Sequence, residues 1–590
     1  MQTPITFYQD RLKEHKNQVD RFNRQLVWLS TLRVLLFLFV VFALYYNFST
    51  WPVALGIGLV GGGLFLWLLS RYTDIKSKRE LHKRLVAINE NEIKIANGDF
   101  HHQPDGKAYM DSEHAFSLDV DMFGRGSFFQ FINRTTIKEG ERTLKDLLLS
   151  NTIDGIEQRQ KAIKELSKYP EWLQHYAAVG KGIATEHAAK SIISWLKNYK
   201  PFLKPYHYWG SLGFICCSVI VFALAITETI PLNSVVYWLI VGLGLTGFHL
   251  KRINMLAQNT QKAKDTFRQY ALLLEQIETK TFEADLLKSY QHNIAYNGLK
   301  ASQIFKNFSK ALDALDNRNN LISAVFGNGY LLWDIRQSYR IEQWIGTYAE
   351  KVEDWFDAVT FFDAFNTLGN FAFNHQDYTY PTIANDAVVL QCKDLGHPLL
   401  RKDKRVSSNV TIEKGQFFIV TGANMAGKST FLRTVALHNI MANTGLPVCA
   451  TKSHYAPIKL ITSMRTTDSL TDDSSYFFSE LKRLKFVVDT LMKSSNYFVI
   501  LDEILKGTNS KDKAIGSRKF VEKLVAIKAT GIIATHDLSL TQIESQLDPV
   551  KNYFFDAEIK NDELFFDYKL KKGVCKNMNA SFLLNKMDII

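Results

Sequence analysis

Four stretches of almost pure hydrocarbon set the first limit on what this chain can fold into. Residues 32–48 ("LRVLLFLFVVFALYYNF") and 51–69 ("WPVALGIGLVGGGLFLWLL") are separated by two residues, and a second pair runs over 208–226 and 230–250. Each has roughly the 17–25 residues with which a helix crosses a bilayer core. Buried helices of a water-soluble protein are the alternative. Nearly uncharged stretches of this length, arranged as tight pairs, read instead as two transmembrane helical hairpins. The first begins about thirty residues in and lacks a small-residue cleavage site, which does not fit a secretion signal. Apolar residues make up 46% of the whole chain, an ordinary globular share, so the membrane content is local.

The charges give the hairpins a direction. Arg21, Arg24, Arg71, Lys76, Lys78 and Arg79 flank the first, whose connecting "NFST" is uncharged. Lys197, Lys200, Lys204, Lys251 and Arg252 flank the second, whose turn "TETIPLNS" holds only Glu228. By the positive-inside rule both hairpins enter and leave from the cytoplasm. The expected location is therefore the cytoplasmic (inner) membrane, with both termini and the rest of the chain in the cytoplasm. The net charge of +12 suits an anionic partner and does not choose between nucleic acid and an anionic lipid surface. The cysteines, Cys216, Cys217, Cys392, Cys449 and Cys575, show neither a disulfide framework nor metal spacing, as expected in a reducing cytosol.

Between these landmarks the chain is mostly helical. Residues 1–31 and 71–98 read as charged amphipathic helices that continue the membrane helices. The turn-rich "ANGDFHHQPDGK" (96–107) marks a boundary, and its His101 and His102 have no carboxylate or cysteine at ligand spacing, so they read as a solvated loop. From 140 to 200 the pattern is helical, with "KYPEW" (168–172) opening a new helix, and 253–372 is helix-rich. The chain thus divides into a unit at 1–98 carrying the first hairpin, an all-α region at 108–384 carrying the second, and an α/β domain at 385–590.

That last domain carries the chemistry. In "TGANMAGKST" (421–430), Gly422, Ala423, Asn424, Met425, Ala426, Gly427, Lys428 and Ser429 satisfy the eight-residue phosphate-loop pattern. The strand-like "FFIV" precedes it and the helix-like "FLRTVALHNIM" follows, so the loop, with Thr430, sits at the positive end of a helix. Lys428 would neutralise the β- and γ-phosphates of ATP, and Ser429 would ligate Mg²⁺. "YFVILDE" (497–503) ends a buried strand in Asp502, which would hold Mg²⁺ through its water shell, and Glu503, which would activate the attacking water. "GIIATHD" (531–537) brings His536 to another strand end, where it would sense the γ-phosphate or position the water. A chance match in a glycine-containing turn would not come with two further strand ends in this order. The reading is an α/β P-loop NTPase that hydrolyses ATP.

With Asn-Met before Ala-Gly-Lys, the loop resembles that of the DNA mismatch repair MutS family. "LGHPLL" (395–400), "LDEILKGTNSKD" (501–512), "ATHDLSL" (534–540) and "SSYFFSEL" (474–481) are similar to further family segments. Upstream, the stretch 117–149, opening "SLDVDMFGRG" and followed by "IEQRQKAIKEL" (156–166), resembles the start of its helical lever region, and "DAVTFFDAFNTLGNFAFNHQDYTYPTI" (357–383) resembles its end. The resemblance implies an ABC/MutS-type ATPase domain following an all-α lever region. It also implies a homodimer in which Ser475, with Ser474 beside it, reaches the γ-phosphate held by the other subunit. The chain departs from the family in having Tyr476 and Phe478 where Thr and Met are usual. It has no counterpart of the mismatch-reading domain, and its second hairpin falls where the family inserts a DNA-gripping clamp. The expectation is contact with DNA mainly through the backbone, no reading of mismatches, and no small-molecule substrate other than ATP. An ABC-type transport ATPase fused to its own membrane domain is the alternative, against which no "LSGGQ"-like stretch precedes Asp502.

Overall fold

The computed structural model describes residues 3–183, 189–465, 476–560 and 563–575. Helix α1 (Pro4–Tyr46) starts behind Thr3, whose Oγ1 accepts from the Thr6 amide, and no glycine or proline interrupts it. Helix α2 (Trp51–Ala96) returns antiparallel beside it. Lys16 pairs with Glu90 at 2.8 Å, Arg79 donates to Asn23 at 3.2 Å, and Arg33 lies 4.2 Å over the Tyr72 ring. Farther along, Gly61 lets the backbone of α2 come so close to Val40 that any Cβ there would overlap it.

Helices α3 (Lys138–Leu149), α4 (Ile156–Leu166) and α5 (Pro170–Gly180) begin the helical core. The second apolar pair follows as α6 (Pro205–Ile226) and α7 (Asn233–Thr279). Helix α7 leaves its apolar stretch without a break, and from Ile253 it buries Leu256, Thr260, Ala263, Phe267, Tyr270, Leu274 and Ile277, the three-and-four spacing of one helix face. At roughly 1.5 Å per residue its 47 residues make a rod of about 70 Å. Helices α8 (Ala301–Asp316), α9 (Leu321–Leu331), α10 (Trp333–Tyr348) and α11 (Val352–Asn374) complete the layer. Helix α11 is the central strut. Its buried Asp363 accepts from the Thr136 and Ile137 amides at 2.9 and 3.2 Å, holding the residues that lead into α3, and burial lifts its carboxyl to about 6.

Four helices, α1, α2, α6 and α7, are long and apolar enough to cross a membrane, and only 6–17% of their most apolar windows is covered by the protein itself. Their bounds differ from the sequence reading at the turns. The stretch 32–48 stops being helical at Tyr46, where Asn47 caps it, and 230–250 becomes helical only at Asn233, after Pro231. His102 of the 96–107 loop bonds Asn91 at 2.6 Å, and the His101 carbonyl accepts from Gln130.

Among the described residues the C-terminal domain holds a small antiparallel pair, Glu558–Lys560 with Glu563–Phe565, and two large sheets. In the smaller, the order is β1 (Thr382–Ile383), β5 (Lys452–Tyr455), β2 (Val388–Leu395), β3 (Ser408–Glu413), so it opens three residues before position 385. In the larger, β10 (Leu570–Lys572), β9 (Val550–Phe555), β4 (Phe417–Gly422), β8 (Thr530–Ala534), β7 (Tyr497–Asp502) and β6 (Lys459–Ser463) lie side by side, all parallel except β10. The central strands are buried on both faces, which explains their unbroken apolar runs. Alternate side chains go to opposite faces. Phe418, Val420, Ile500 and Ile532 meet α12 (Lys428–Thr444) and join the core of the helical region. Phe417, Ile419, Val499 and Ile533 meet α13 (Tyr476–Lys493) and α14 (Ser510–Ala526).

Candidate functional site

Strand register builds the site. Ala534 is paired with Val420 on one side and with Asp502 on the other, so β4, β8 and β7 end along one edge of the sheet. The next residues of each strand emerge there together: the 422–430 loop, His536 and Glu503. Gly422 is required where it stands, because its φ is 148° and a Cβ would sit 2.6 Å from the Phe555 carbonyl oxygen. Met425 (φ 66°) and Gly427 (φ 103°) turn the loop back onto the start of α12.

Around this edge lies a cleft of about 590 Å³. Asn424, Met425, Gly427, Lys428, Ser429 and Thr430 line its floor, with Glu503 and His536 at one end. Ala426 is fully buried beneath the loop, and the Gly422 and Ala423 carbonyls accept from Lys428 Nζ at 2.8 and 2.9 Å. His397, Phe431, Phe555 and Tyr568 also line the cleft. His397 comes from "LGHPLL", and burial holds its imidazole down at about 4, which keeps it neutral at physiological pH.

Ser429 Oγ donates to Asp502 Oδ2 at 2.7 Å, so a hydroxyl and a carboxylate already converge as a hard cation requires. This oxygen pair beside an ammonium and a helix N-terminus fits magnesium and a polyphosphate. Among the described residues no group of three or more His, Cys, Asp or Glu side chains is placed to hold a metal ion.

His536 Nε2 lies 3.0 Å from Glu503 Oε1 and 3.1 Å from Lys428 Nζ. One ring nitrogen carries at most one proton, so it either donates to Glu503 or accepts from Lys428. Donation to Glu503 fits better, because Lys428 already serves two carbonyls. That hydrogen bond, with Lys506 3.9 Å away on the other oxygen, holds the Glu503 carboxyl down at about 2 against the effect of burial. Burial lowers Lys428, and the Glu503 and Asp502 carboxylates oppose it.

One residue not predicted for the site also belongs to it, the glutamate of "SSYFFSEL" (474–481). Glu480 of α13 is 3% exposed and accepts from the Lys506 amide at 3.0 Å, with the Leu505 and Gly507 amides also turned to it. It ties down the loop after Glu503, in which Glu503 and Leu505 both hold positive φ, 50° and 60°. Ser474 and Ser475 lie outside the described residues. The ends of that stretch are nevertheless anchored. The Arg465 amide donates to Asp119 at 2.7 Å, and Arg483 donates to the His114 and Ala115 carbonyls at 3.0 and 2.7 Å.

Comparison with known proteins bears on this domain. The family model for MutS domain V matches residues 418–584. MutS protein homolog 4 of Homo sapiens is 32% identical over 214 residues, which is 34% of this chain and 22% of that protein. The DNA mismatch repair protein MutS of Persephonella marina is 30% identical over 242 residues, covering 40% of this chain and 27% of the relative. The protein of the same name from Protochlamydia amoebophila is 30% identical over 275 residues, 45% of this chain and 30% of the relative. The chain therefore spans less than a third of the length of each of these relatives.

Proposed function

We propose that this chain, a MutS-family protein by its C-terminal domain, is a membrane-anchored ATPase that works as a homodimer and turns ATP hydrolysis into movement of its long helices. The observation that carries the reading is the meeting of Lys428, Ser429, Asp502, Glu503 and His536 at one sheet edge. In this reading Lys428 and the 422–430 loop bind the triphosphate, and Ser429 and Asp502 hold Mg²⁺. The ion supplies charge neutralisation at the transferred phosphoryl group. Glu503 takes the proton of the attacking water, His536 orients Glu503, and Ser475 completes the partner subunit's site.

The membrane part rests on the four uncovered apolar helices and their Lys/Arg flanks, with both termini and the ATPase domain in the cytoplasm. Coupling rests on two polar joints. At the base of the first pair, Tyr8 donates to Asn374 at 2.6 Å, Asn374 donates to Glu92 at 3.0 Å, and Arg134 donates to Glu92 at 2.5 Å. These contacts fix α1 and α2 to the end of α11, seven residues before β1. At the ATPase end, Asp119 and Asp121 hold Thr462, Arg433 and Arg465, joining β6 and α12 to the helical region. A shift at the nucleotide therefore reaches α11 and the membrane helices through packed, hydrogen-bonded elements.

DNA binding, to which the bacterial DNA mismatch repair relatives point, is proposed here as backbone contact only. The test is the Mg²⁺-dependent ATPase rate of the detergent-purified protein with no DNA and with matched or mismatched duplex over a salt series. Turnover with salt-sensitive, mismatch-indifferent DNA binding is expected. A strong preference for mismatched duplex, or no turnover with Mg-ATP, would overturn the proposal.

A further inference from the structure

Helix α9, "LISAVFGNGYL", has no charged residue, and it leaves Leu321, Ile322 and Phe326 77, 69 and 52% exposed. At 11 residues it is far too short to span a bilayer. Its last turn nevertheless packs among residues inside the second pair of apolar helices. The Tyr330 ring lies 4.8 Å from that of Phe222 on α6, and its hydroxyl donates to the Val235 carbonyl, two residues into α7. Gly329 and Gly242 bring the backbones of α9 and α7 into direct contact, where a side chain on either would overlap the other helix.

The ends of α9 are closed in the manner an apolar surrounding demands, because hydrocarbon offers nothing to an unpaired backbone group. At the start, Asn320 Oδ1 accepts from the Ile322 and Ser323 amides. At the end, Ser218, in the middle of α6, donates to the Tyr330 carbonyl at 2.8 Å and accepts from Trp238 Nε1 at 2.8 Å. Leu332 then adopts a left-handed conformation (φ 46°), and α10 turns back immediately. By Tyr339 it is level with Tyr208 in the first turn of α6, the two rings stacked 5.3 Å apart. Arg318 pairs with Asp334 at 3.3 Å where the chain goes in and comes out.

We infer that α9 is a re-entrant membrane element: it dips from the cytoplasmic side into the hydrocarbon against α6 and α7, leaves on the same side, and presents Leu321, Ile322 and Phe326 to lipid acyl chains. This rests on the membrane reading of α6 and α7. Acyl chains are the occupant because the exposed face of α9 is continuous with the lipid-facing surface of those two helices. It gives the helical core a direct handle on the bilayer, since α8 and α10, which bracket α9, pack on the cytoplasmic half of α7.

The test uses the full chain with Cys216 and Cys217 replaced by Ser, reconstituted in phosphatidylcholine/phosphatidylglycerol vesicles, carrying one nitroxide spin label. Positions are Phe326→Cys, Ile322→Cys, Val219→Cys on α6 as the membrane reference, and Leu299→Cys on the exposed turn before α8 as the aqueous reference. Collision with dissolved oxygen, which concentrates in lipid, is compared with collision with a water-soluble nickel chelate. The expected result is that labels at 326 and 322 show the high oxygen and low nickel access of 219, opposite to 299. If 219 reads as lipid while 326 and 322 meet nickel, α9 lies in water. If both are shielded from oxygen and nickel alike, a protein surface covers it. Either result overturns the inference. Nickel access at 219 would instead remove the membrane reading itself, and the inference with it.

Discussion

Replacing Glu480 by alanine tests whether the geometry of Glu503 depends on a residue that never touches the nucleotide. The Glu480 carboxylate is the acceptor for the amides of a turn whose members include two residues in positive φ. A buried donor stripped of its acceptor costs about 1–3 kcal/mol. With about 3 kcal/mol lost from the turn, its positive-φ residues are free to relax and Glu503 leaves His536. Since each 1.36 kcal/mol is about tenfold in rate, kcat should fall by about a hundredfold. Glutamine keeps one accepting oxygen and should recover much of this. The assay is steady-state ATP hydrolysis together with equilibrium binding of a fluorescent ATP analogue. Lys428 and the phosphate loop are untouched, so binding should stay near wild type in both variants. Glu480→Ala with unchanged kcat, or with lost binding and intact kcat, would refute the positioning role.

Lys428→Ala should weaken ATP binding itself, measurable by the same analogue, because it removes the ammonium held in the phosphate loop; unchanged affinity would contradict its assignment. Ser475→Ala should reduce turnover while leaving the nucleotide affinity of a diluted protomer nearly intact, and full activity of a monomer at high dilution would rule out a shared site. For His536→Gln the pH dependence carries the information. The Glu503 carboxyl is held down at about 2 chiefly by the His536 hydrogen bond, from an ordinary value of 4.5. A depressed acid contributes stability that is present above its unfolded value and lost as pH falls through the folded one. The melting-temperature gap between wild type and His536→Gln should therefore be full above pH 4.5 and shrink as pH falls toward 2; a gap that widens with acid would show that the His536 contact does not stabilise the Glu503 carboxylate.

How much of this was legible in the sequence follows from which forces are local. The stretch from Phe417 to Thr444 reads directly as strand, loop and helix, because a buried parallel strand needs an unbroken apolar run and the loop needs glycine at 422 and 427. The long membrane-length helices show through their composition, although the glycines of α2 gave no hint that Gly61 serves a close helix contact rather than a break. Helix α9 was hidden because a mostly apolar stretch of eleven residues looks like any buried helix, and only its contacts with Ser218 and Gly242 tell where it lies. Glu480 lies in the family-like "SSYFFSEL", yet its role did not show, since a carboxylate on an amphipathic helix looks the same whether it faces water or a loop amide. Strand order in the larger sheet, with β8 between β4 and β7, is a tertiary choice that no spacing announces.

ATP hydrolysis by proteoliposomes washed at alkaline pH tests the central claim most directly, because it asks whether one protein is both embedded and catalytic. Vesicles carrying wild type or Glu503→Gln are washed in alkaline carbonate, pelleted, returned to neutral pH and given external Mg-ATP. The account predicts that the activity stays with the pellet, and that Glu503→Gln loses about a hundredfold of it, the scale for removing a general base. Activity that washes into the supernatant, or that survives in Glu503→Gln, would contradict it.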